Sequence, residues 1–355
     1  MGTLTVGHGS SFDFDLDGGE TLHDAFSVAL DGDTVQLGEA LIADHGFHIP
    51  AGVTLDGLGP ELSRIRWDDV MYGAFTGLLT ESGGANVIRN IELTCRGTDN
   101  RNGVGMVADN PAGLLVENCL LRGQFDVFQV ANSVLSPNVR FRNCVFECDY
   151  VDIGLVSGSA PASVRFEACE FLSAPEYTNF FTLSPIGGLH LSCPGCTVEF
   201  VSCNIELSKP LASTKEWLTL FTLERQATIL IDRCSVSIDS SPVNRRNALL
   251  SVSSMILGGL DVLALTVRRS TVTQNAGTAQ AYFVYDPGSR GSGEVRLIGN
   301  SAIAAYEASD GIALNPGDYD VFLTPDTVGQ ILRPGRMRTD RVVGATRSRV
   351  LSHSQ

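Results

Sequence analysis

Three segments of the chain share one pattern: residues 114–121 read LLVENCLL, 139–146 read VRFRNCVF, and 164–171 read VRFEACEF. Each segment alternates apolar and polar residues, continues with a pair that is Glu-Asn, Arg-Asn or Glu-Ala, reaches a small residue, and then begins a second short strand. Alternation with a period of two is typical of half-buried β-strands. Less regular copies follow, centred on Cys203, Cys234, Ser270 and Asn300, and one copy precedes them at Ile91. The chain is therefore predicted to be a repeat protein made of short strands.

The spacing of these repeats indicates a solenoid. The central residue stands at positions 91, 119, 144, 169, 203, 234, 270 and 300, so successive copies lie 25 to 36 residues apart. A coil of three short strands and three turns needs roughly 20 to 25 residues, and the longer intervals leave room for loop insertions. We therefore expect an all-β fold, a right-handed single-stranded parallel β-helix, with an N-terminal capping helix and a C-terminal extension.

The two ends of the chain differ from its middle. Residues 21–30 predict a short amphipathic helix with Leu22, Phe26 and Leu30 on one side, placed to cover the open end of the solenoid, and the strands are expected to begin at Gly32. The repeat fades after about Ile312. These changes predict an N-terminal cap at 1–45, a β-helix at 46–312 and a C-terminal extension at 313–355.

Stacking of the coils would place equivalent residues in ladders. The small position would form an inward ladder, the residue before it a turn ladder in which Asn tolerates a left-handed backbone, and the residue two before it an outer row of alternating charge. The inward ladder is Cys119, Cys144, Cys169, Cys203 and Cys234. The turn ladder is Asn90, Asn118 and Asn143, and the outer charged row is Glu117, Arg142 and Glu167. The phenylalanines beside the cysteines favour a plain apolar core over a metal or redox wire.

Two stretches carry a resemblance to a known family. Residues 33–37 (DTVQL) and 49–59 (IPAGVTLDGLG), followed by the Asn-Cys coils, resemble the pectate-lyase-like right-handed β-helix superfamily over roughly residues 20 to 305. That fold occurs in lyases, hydrolases, phage tailspikes and non-catalytic particle proteins, so the resemblance indicates architecture rather than activity. For a phage or virus spike or decoration protein of this type, the resemblance implies a homotrimer.

An acidic group on three adjacent coils is the candidate catalytic site. Asp126 and Glu176 each lie seven residues after their cysteine, Val151 is the aligned residue between them, and Asp149 and Asp152 flank it. These carboxylates are candidates for an acid/base pair or for Ca²⁺ ligands, because both uses need oxygen groups that converge. The alternative is a solvated face of an acidic protein.

The motifs of sugar-cleaving β-helix enzymes are incomplete. Asn-Thr-Asp and Arg-Ile-Lys are absent, the only Asp-Asp is Asp68-Asp69, and the only Gly-His-Gly is 7–9, ahead of the predicted solenoid. The sequence also lacks a block that matches the Arg or Lys beside the Ca²⁺ cluster of pectate lyases. These departures lower the expectation of an enzyme.

One further stretch has the spacing of half a zinc site. His190, Cys193 and Cys196 lie in HLSCPGC, where Cys-x-x-Cys supplies two ligands and the histidine a third. A second cysteine pair is missing, and Pro-Gly is by itself typical of a tight turn. The turn in an inserted loop is favoured, and no resident metal or cofactor is expected apart from the Ca²⁺ alternative.

The charge of the chain is unevenly distributed. The net charge is −15, yet residues 331–355 carry six arginines against Asp340, a local charge of +5 that leaves −20 on the remainder. The six are Arg333, Arg336, Arg338, Arg341, Arg347 and Arg349. Such an arm favours docking onto an acidic partner, a capsid or tail protein or a second subunit, while the missing aromatics argue against nucleic acid.

Two functions remain open. The first is a non-catalytic structural or receptor-binding protein of a phage or virus particle, assembled through the C-terminal arm. It fits an N-terminus without signal-peptide features and a chain without a membrane-length apolar run, so we expect cytoplasmic synthesis and a place in the virion. The second is a polysaccharide lyase or glycoside hydrolase that uses the acidic group. Surface polysaccharide is an expected ligand in either case.

Overall fold

The computed structural model describes most of the chain up to residue 329. The described residues are 1–43, 47–68, 77–80, 84–96, 104–108, 113–126, 138–153, 163–172, 189–191, 195–208, 217–223, 226–240, 242, 246–252, 260–276, 281–285, 291–298, 302–306, 313–314, 318–323 and 328–329. The chain divides into two compact units, Met1–Phe180 and Phe181–Gln355. The predicted acid Glu176 and the arginines of the C-terminal arm lie outside the described residues.

The described residues of the first unit form two short helical segments and seventeen strands. The helical segments are the 3₁₀-helix η1 (Leu16–Gly18) and the helix α1 (Leu22–Val28). The strands are β1 (Thr3–Gly7), β2 (Phe14–Asp15), β3 (Thr34–Leu37), β4 (Ala40–Ala43), β5 (Phe47–Ile49), β6 (Thr54–Asp56), β7 (Ser63–Asp68), β8 (Gly77–Thr80), β9 (Asn86–Arg89), β10 (Glu92–Arg96), β11 (Val104–Ala108), β12 (Leu114–Glu117), β13 (Leu120–Asp126), β14 (Asn138–Arg142), β15 (Val145–Ile153), β16 (Ser163–Glu167) and β17 (Glu170–Leu172).

Each coil of the first unit contributes strands to parallel ladders on different sides. The first ladder runs β2-β1-β3-β6-β9-β12-β14-β16. The second runs β4-β7-β10-β13-β15-β17. The third runs β5-β8-β11 and joins the end of β13. Parallel neighbours that belong to successive turns of the chain define a parallel β-helix, as the repeat predicted.

The second unit repeats this arrangement with the remaining strands. They are β18 (Leu189–Leu191), β19 (Cys196–Val201), β20 (Asn204–Ser208), β21 (Trp217–Leu223), β22 (Ala227–Asp232), β23 (Ser235–Asp239), β24 (Arg246–Val252), β25 (Leu260–Arg268), β26 (Thr271–Asn275), β27 (Ala281–Tyr285), β28 (Gly291–Ile298), β29 (Ala302–Tyr306), β30 (Ala313–Leu314), β31 (Asp318–Leu323) and β32 (Val328–Gly329). Its parallel ladders are β19-β22-β25-β28-β31, β20-β23-β26-β29-β32 and β18-β21-β24-β27-β30.

Stacked aromatic rings fill part of the interior of the first unit. Phe141 and Phe166 are paired in register and their rings stack at 5.1 Å and 9°. Phe146 and Phe171, on the second ladder, stack at 4.6 Å and 3°. All four side chains are buried. The alternating strand pattern therefore places every second residue in a close-packed core, which is the main favourable contribution to folding.

The N-terminal helix differs in one residue from its prediction. Thr21 and Asp24 form a capping box, α1 contacts β1, β2 and β5, and Leu22 and Phe26 are buried. Leu30, predicted on the same side, is 71% exposed. The helix ends at Val28 and the backbone is extended at Ala29, so the helical spacing that would have turned Leu30 inward no longer applies.

The strands also reach further along the chain than the sequence indicated. β1 pairs in parallel with β3 and β2 extends the same ladder, so strands precede Gly32 and the Gly-His-Gly segment begins at the end of a strand. After residue 312, β31 pairs with β28 and β32 with β29. These strands are short or lack the Asn-Cys pattern, and they are recognisable chiefly by the pairing itself.

Candidate functional site

A row of alternating charges crosses the first ladder of the first unit. Asp56, Arg89, Glu117, Arg142 and Glu167 are register partners on five successive strands. Arg89 Nη2 lies 2.7 Å from Asp56 Oδ2, and Arg142 Nη2 lies 2.5 Å from Glu117 Oε1. The hydrogen bond to Asp56 raises the pKa of Arg89 above its ordinary value. The expected Glu–Arg–Glu row is thus two members longer, and its two ion pairs each join neighbouring coils.

From Arg89 onward, the residue that follows this row in each coil has a left-handed backbone. Asn90, Asn118 and Asn143 have φ values of 59°, 53° and 52°. Asn90 Nδ2 donates to Asp56 Oδ1 at 2.8 Å, and Asn118 Nδ2 donates to Asn90 Oδ1 at 3.3 Å. The same backbone state occurs at four residues that are not asparagine: Ala168, Ser202, Arg233 and Arg269. These residues shape the turn between two strands, and Asn is the residue type that best tolerates its left-handed backbone.

The cysteine ladder lies inside the coils. Cys119, Cys144, Cys169, Cys203 and Cys234 are buried thiols. Each Sγ donates to the carbonyl two residues before it, as in the 3.3 Å contact from Cys119 to Glu117. Burial raises the pKa of the Cys144 thiol, and a hydrogen bond with Cys203 together with burial raises that of Cys234, both far above the ordinary value. Protonated, enclosed thiols suit a core and do not favour redox chemistry.

A shallow depression of about 150 Å³ lies on the second ladder of the first unit. Arg122 is its central group: Nε donates to Glu147 at 2.7 Å and Nη1 donates to Glu92 at 3.2 Å. The hydrogen bond that Arg122 donates to Glu147 is the largest cause of the raised pKa of Arg122. Leu41, Arg64, Ile65, Arg66 and Thr94 complete the lining. Because Arg122 already bridges two carboxylates, this surface resembles the charge row of the first ladder more than a catalytic centre.

The predicted acidic group is only partly brought together. Asp126 of β13 is the register partner of Asp152 of β15. A bulge after Gly123 leaves Asp149 opposite no residue and shifts the later pairing by one, so Val151 faces Phe125 rather than Asp126 as the sequence alignment had placed it. A bulge inserts one residue that periodicity cannot reveal. Asp126 and Asp152 thus share a backbone level, and Asp149 does not.

The predicted half zinc site divides between two positions. Cys196 begins β19, is fully buried and pairs in register with Ala227. Gly195 has a φ of 68°, which fits the expected Pro-Gly turn. Cys193 lies outside the described residues, and His190 belongs to β18. Among the described residues, no three His, Cys, Asp or Glu side chains are grouped as metal ligands.

A second charge cluster, which the sequence analysis missed, lies in the second unit. Asp232, at the end of β22, is buried and contacts Arg233, Arg268 and Arg269. Burial opposes ionisation of Asp232, but hydrogen bonds from Arg269 and Arg268 outweigh it and hold its pKa below the ordinary value. The available signal was the pair of motifs Asp-Arg before Cys234 and Arg-Arg before Ser270, which occupy equivalent places in successive repeats.

Comparison with known proteins does not supply a family. No protein-family model, curated protein or solved structure matches the chain. In the part of the chain that the structure describes, no helix is long and apolar enough to cross a membrane. A function must therefore be argued from the residues and their geometry.

Proposed function

We propose that the protein is a non-catalytic structural or receptor-binding component of a phage or virus particle, a capsid decoration or spike protein. In this proposal it assembles as a homotrimer, and its C-terminal arm, residues 331–355, docks onto an acidic capsid or tail protein. Surface polysaccharide is the expected external ligand.

The charge row of the first ladder is the observation that carries this proposal. Its arginines and carboxylates pair with one another between coils, at 2.7 Å for Arg89 with Asp56 and 2.5 Å for Arg142 with Glu117. Charges used in this way hold the coils in register and are not arranged around a substrate. A rigid acidic scaffold with a basic arm suits attachment to a particle better than catalysis on a substrate.

Particle association tests the arm. Particles from the source of the protein are purified with the full chain, with a chain lacking 331–355, and with a chain whose six arm arginines are replaced by lysine. We expect the full chain and the lysine variant to co-purify with particles and the deleted chain to be lost, because docking depends on positive charge. A deleted chain that still co-purifies, or a full chain absent from particles, contradicts the proposal. Light scattering of the purified protein tests the trimer against the monomer mass of 37.9 kDa.

A polysaccharide lyase or glycoside hydrolase is the second candidate, and one observation favours it. Asp126 and Asp152 are register partners on adjacent strands, where backbones lie about 4.8 Å apart. Carboxyl groups roughly 5 Å apart are the arrangement that retaining glycosidases use, and such a pair is also a suitable start for Ca²⁺ ligation.

Cleavage assays separate the two candidates. The protein is incubated with bacterial capsular and plant polysaccharides, with and without Ca²⁺, while new reducing ends and the ultraviolet absorbance of unsaturated products are followed. If the protein is an enzyme, we expect it to release these products. Asp126→Asn and Asp152→Asn should each abolish the release, whereas Asp149→Asn, at the bulge, should largely retain it. If product release survives both Asp126→Asn and Asp152→Asn, this pair is not the catalytic site. If each substitution abolishes the release, the non-catalytic proposal is wrong.

A further inference from the structure

The strongest unexplained feature is the cation excess around Asp232. Arg269 donates from Nε to Oδ1 at 2.9 Å and from Nη2 to both oxygens at 2.7 Å, and Arg268 Nη2 donates to Oδ2 at 3.1 Å. Arg233 Nε lies 3.7 Å from Oδ2, an ion pair longer than a hydrogen bond. The carboxylate is thus fully engaged by two arginines, and the third is held only by its charge.

These three arginines, which we call the arginine triad (Arg233, Arg268 and Arg269), are not neutralised. Within the described residues each forms an ion pair with Asp232 alone. The cluster therefore carries a net charge of +2 on a chain whose net charge is −15. The row in the first unit is different, since each arginine there alternates with a carboxylate. Like charges on adjacent strands are unfavourable unless another anion completes the arrangement.

The geometry of the triad keeps its guanidinium groups accessible. The side chains of Arg233, Arg268 and Arg269 are 54%, 41% and 51% exposed, whereas Asp232 is 3% exposed. Asp232 and Arg268 are register partners, so the turn residues Arg233 and Arg269 that follow them are also adjacent. Both turn residues have a left-handed backbone, φ 57° and 52°, at the position that Asn90, Asn118 and Asn143 occupy in the first unit. A bulky residue in that region is uncommon and often marks a functional constraint.

We infer that the arginine triad is a binding site for a doubly charged oxyanion of the phosphate or sulfate type. The planar fork of arginine matches such oxygens, and the charge of +2 matches a dianion. Asp232 acts as the buried anchor that fixes the direction of Arg268 and Arg269. The guanidinium of Arg233 donates no hydrogen bond to a described side chain, so its N–H groups can donate to the oxyanion. This inference concerns the second unit and does not depend on the proposed particle function.

Calorimetric titration of the full chain with inorganic phosphate, sulfate and acetate tests the inference, with sodium chloride added to hold the ionic strength constant. The test variant is Arg233→Asn, because it installs the residue that the turn favours while removing one cation. We expect phosphate and sulfate to bind the wild type, acetate to bind more weakly, and the variant to bind phosphate about 10- to 100-fold more weakly, the effect of losing one charged hydrogen bond.

Arg296→Asn is the matched control, because Arg296 is likewise 51% exposed but lies 2.6 Å from Glu294. Its phosphate affinity is expected to equal that of the wild type. The inference is overturned if the wild type and Arg233→Asn bind phosphate equally well, if Arg296→Asn weakens phosphate binding as much as Arg233→Asn does, or if acetate binds as tightly as phosphate. If circular dichroism shows that Arg233→Asn is misfolded, Arg233→Lys replaces it, and an unchanged affinity in that variant likewise overturns the inference, since lysine lacks the fork.

Discussion

The residue that precedes the small buried position adopts the same turn backbone whatever its side chain. Its φ lies between 52° and 59° in seven coils, although its identity ranges from Asn to Ala, Ser and Arg. An L-residue other than Asn or Gly is disfavoured in this left-handed region by roughly 1–2 kcal/mol. The turn geometry is therefore imposed by the stacking of coils on both sides, and individual residues tolerate it to different degrees.

Stability should follow turn residue type. Ala168→Asn is expected to raise the free energy of unfolding by about 0.5–1 kcal/mol, because Asn is better tolerated than Ala at a φ of 52°. The reverse change, Asn143→Ala, is expected to lower it by a similar amount. Urea denaturation followed by circular dichroism measures both. A lower denaturation midpoint for Ala168→Asn would show that packing around this turn outweighs its backbone preference.

Asp232 should make stability depend on acid pH. Because its pKa is lower in the folded protein than its ordinary value of 3.8, its ionised form stabilises the fold above about pH 4, and this contribution is lost as pH falls through the folded pKa. Arg233, Arg268 and Arg269 are the charged groups that contact it. Wild type should exceed Asp232→Asn in unfolding free energy at pH 6, and the difference should shrink between pH 4 and pH 2. A difference independent of pH contradicts this account.

At the scale of elements, the ladders convert a sequence repeat into contacts between coils. In the first unit, one row carries paired charges, a second carries asparagine amides bonded to their neighbours, and a third carries thiols that lie within the core. The thiol row continues from Cys203 to Cys234 in the second unit, and Ser270 follows it with the same contact, its Oγ donating to the carbonyl of Arg268 at 2.8 Å. A small donor at this position serves the turn, whether it is sulfur or oxygen.

The ladder thiols should be unreactive in the folded protein. Burial and hydrogen bonding raise the pKa values of Cys144 and Cys234, and the reactive form is the thiolate. A Cys95→Ser, Cys148→Ser, Cys193→Ser variant leaves six cysteines, all buried. We expect these six to react with a disulfide reagent at pH 8 roughly 100-fold more slowly in buffer than in denaturant, since reaction needs local opening. Rapid labelling in buffer would refute a closed thiol ladder.

At the scale of the molecule, each unit is a stack in which a coil is stabilised chiefly by its neighbours. The last described strand, β32, ends at Gly329 and pairs with β29. The arm from 331 carries six of the 25 Lys and Arg residues and is basic in an otherwise acidic protein. Fold and attachment are therefore expected to be separable properties of this chain.

Removal of residues 331–355 should leave the fold intact. We expect the shortened chain to keep its strand signal in circular dichroism and a melting temperature within about 4 °C of the full chain, which for a protein of this size corresponds to roughly 3 kcal/mol. The full-length chain with the six arm arginines replaced by glutamine is the control for charge alone. If the shortened chain aggregates or loses its strand signal while the glutamine variant stays folded, the arm contributes to the fold.

The sequence by itself determined the parallel β-helix, because alternation and a recurring Asn-Cys pair depend only on near neighbours along the chain. It also determined the inward thiols, the asparagine turns and the Glu117–Arg142–Glu167 row, since equivalent positions in a solenoid become neighbours. Only the tertiary structure decided the strands before residue 32, the exposure of Leu30, and the bulge that aligns Asp126 with Asp152. It alone assembled Asp232 with three arginines from two coils. Each of these depends on an inserted residue, a helix end or a pairing partner distant in sequence, and periodicity carries no information about those.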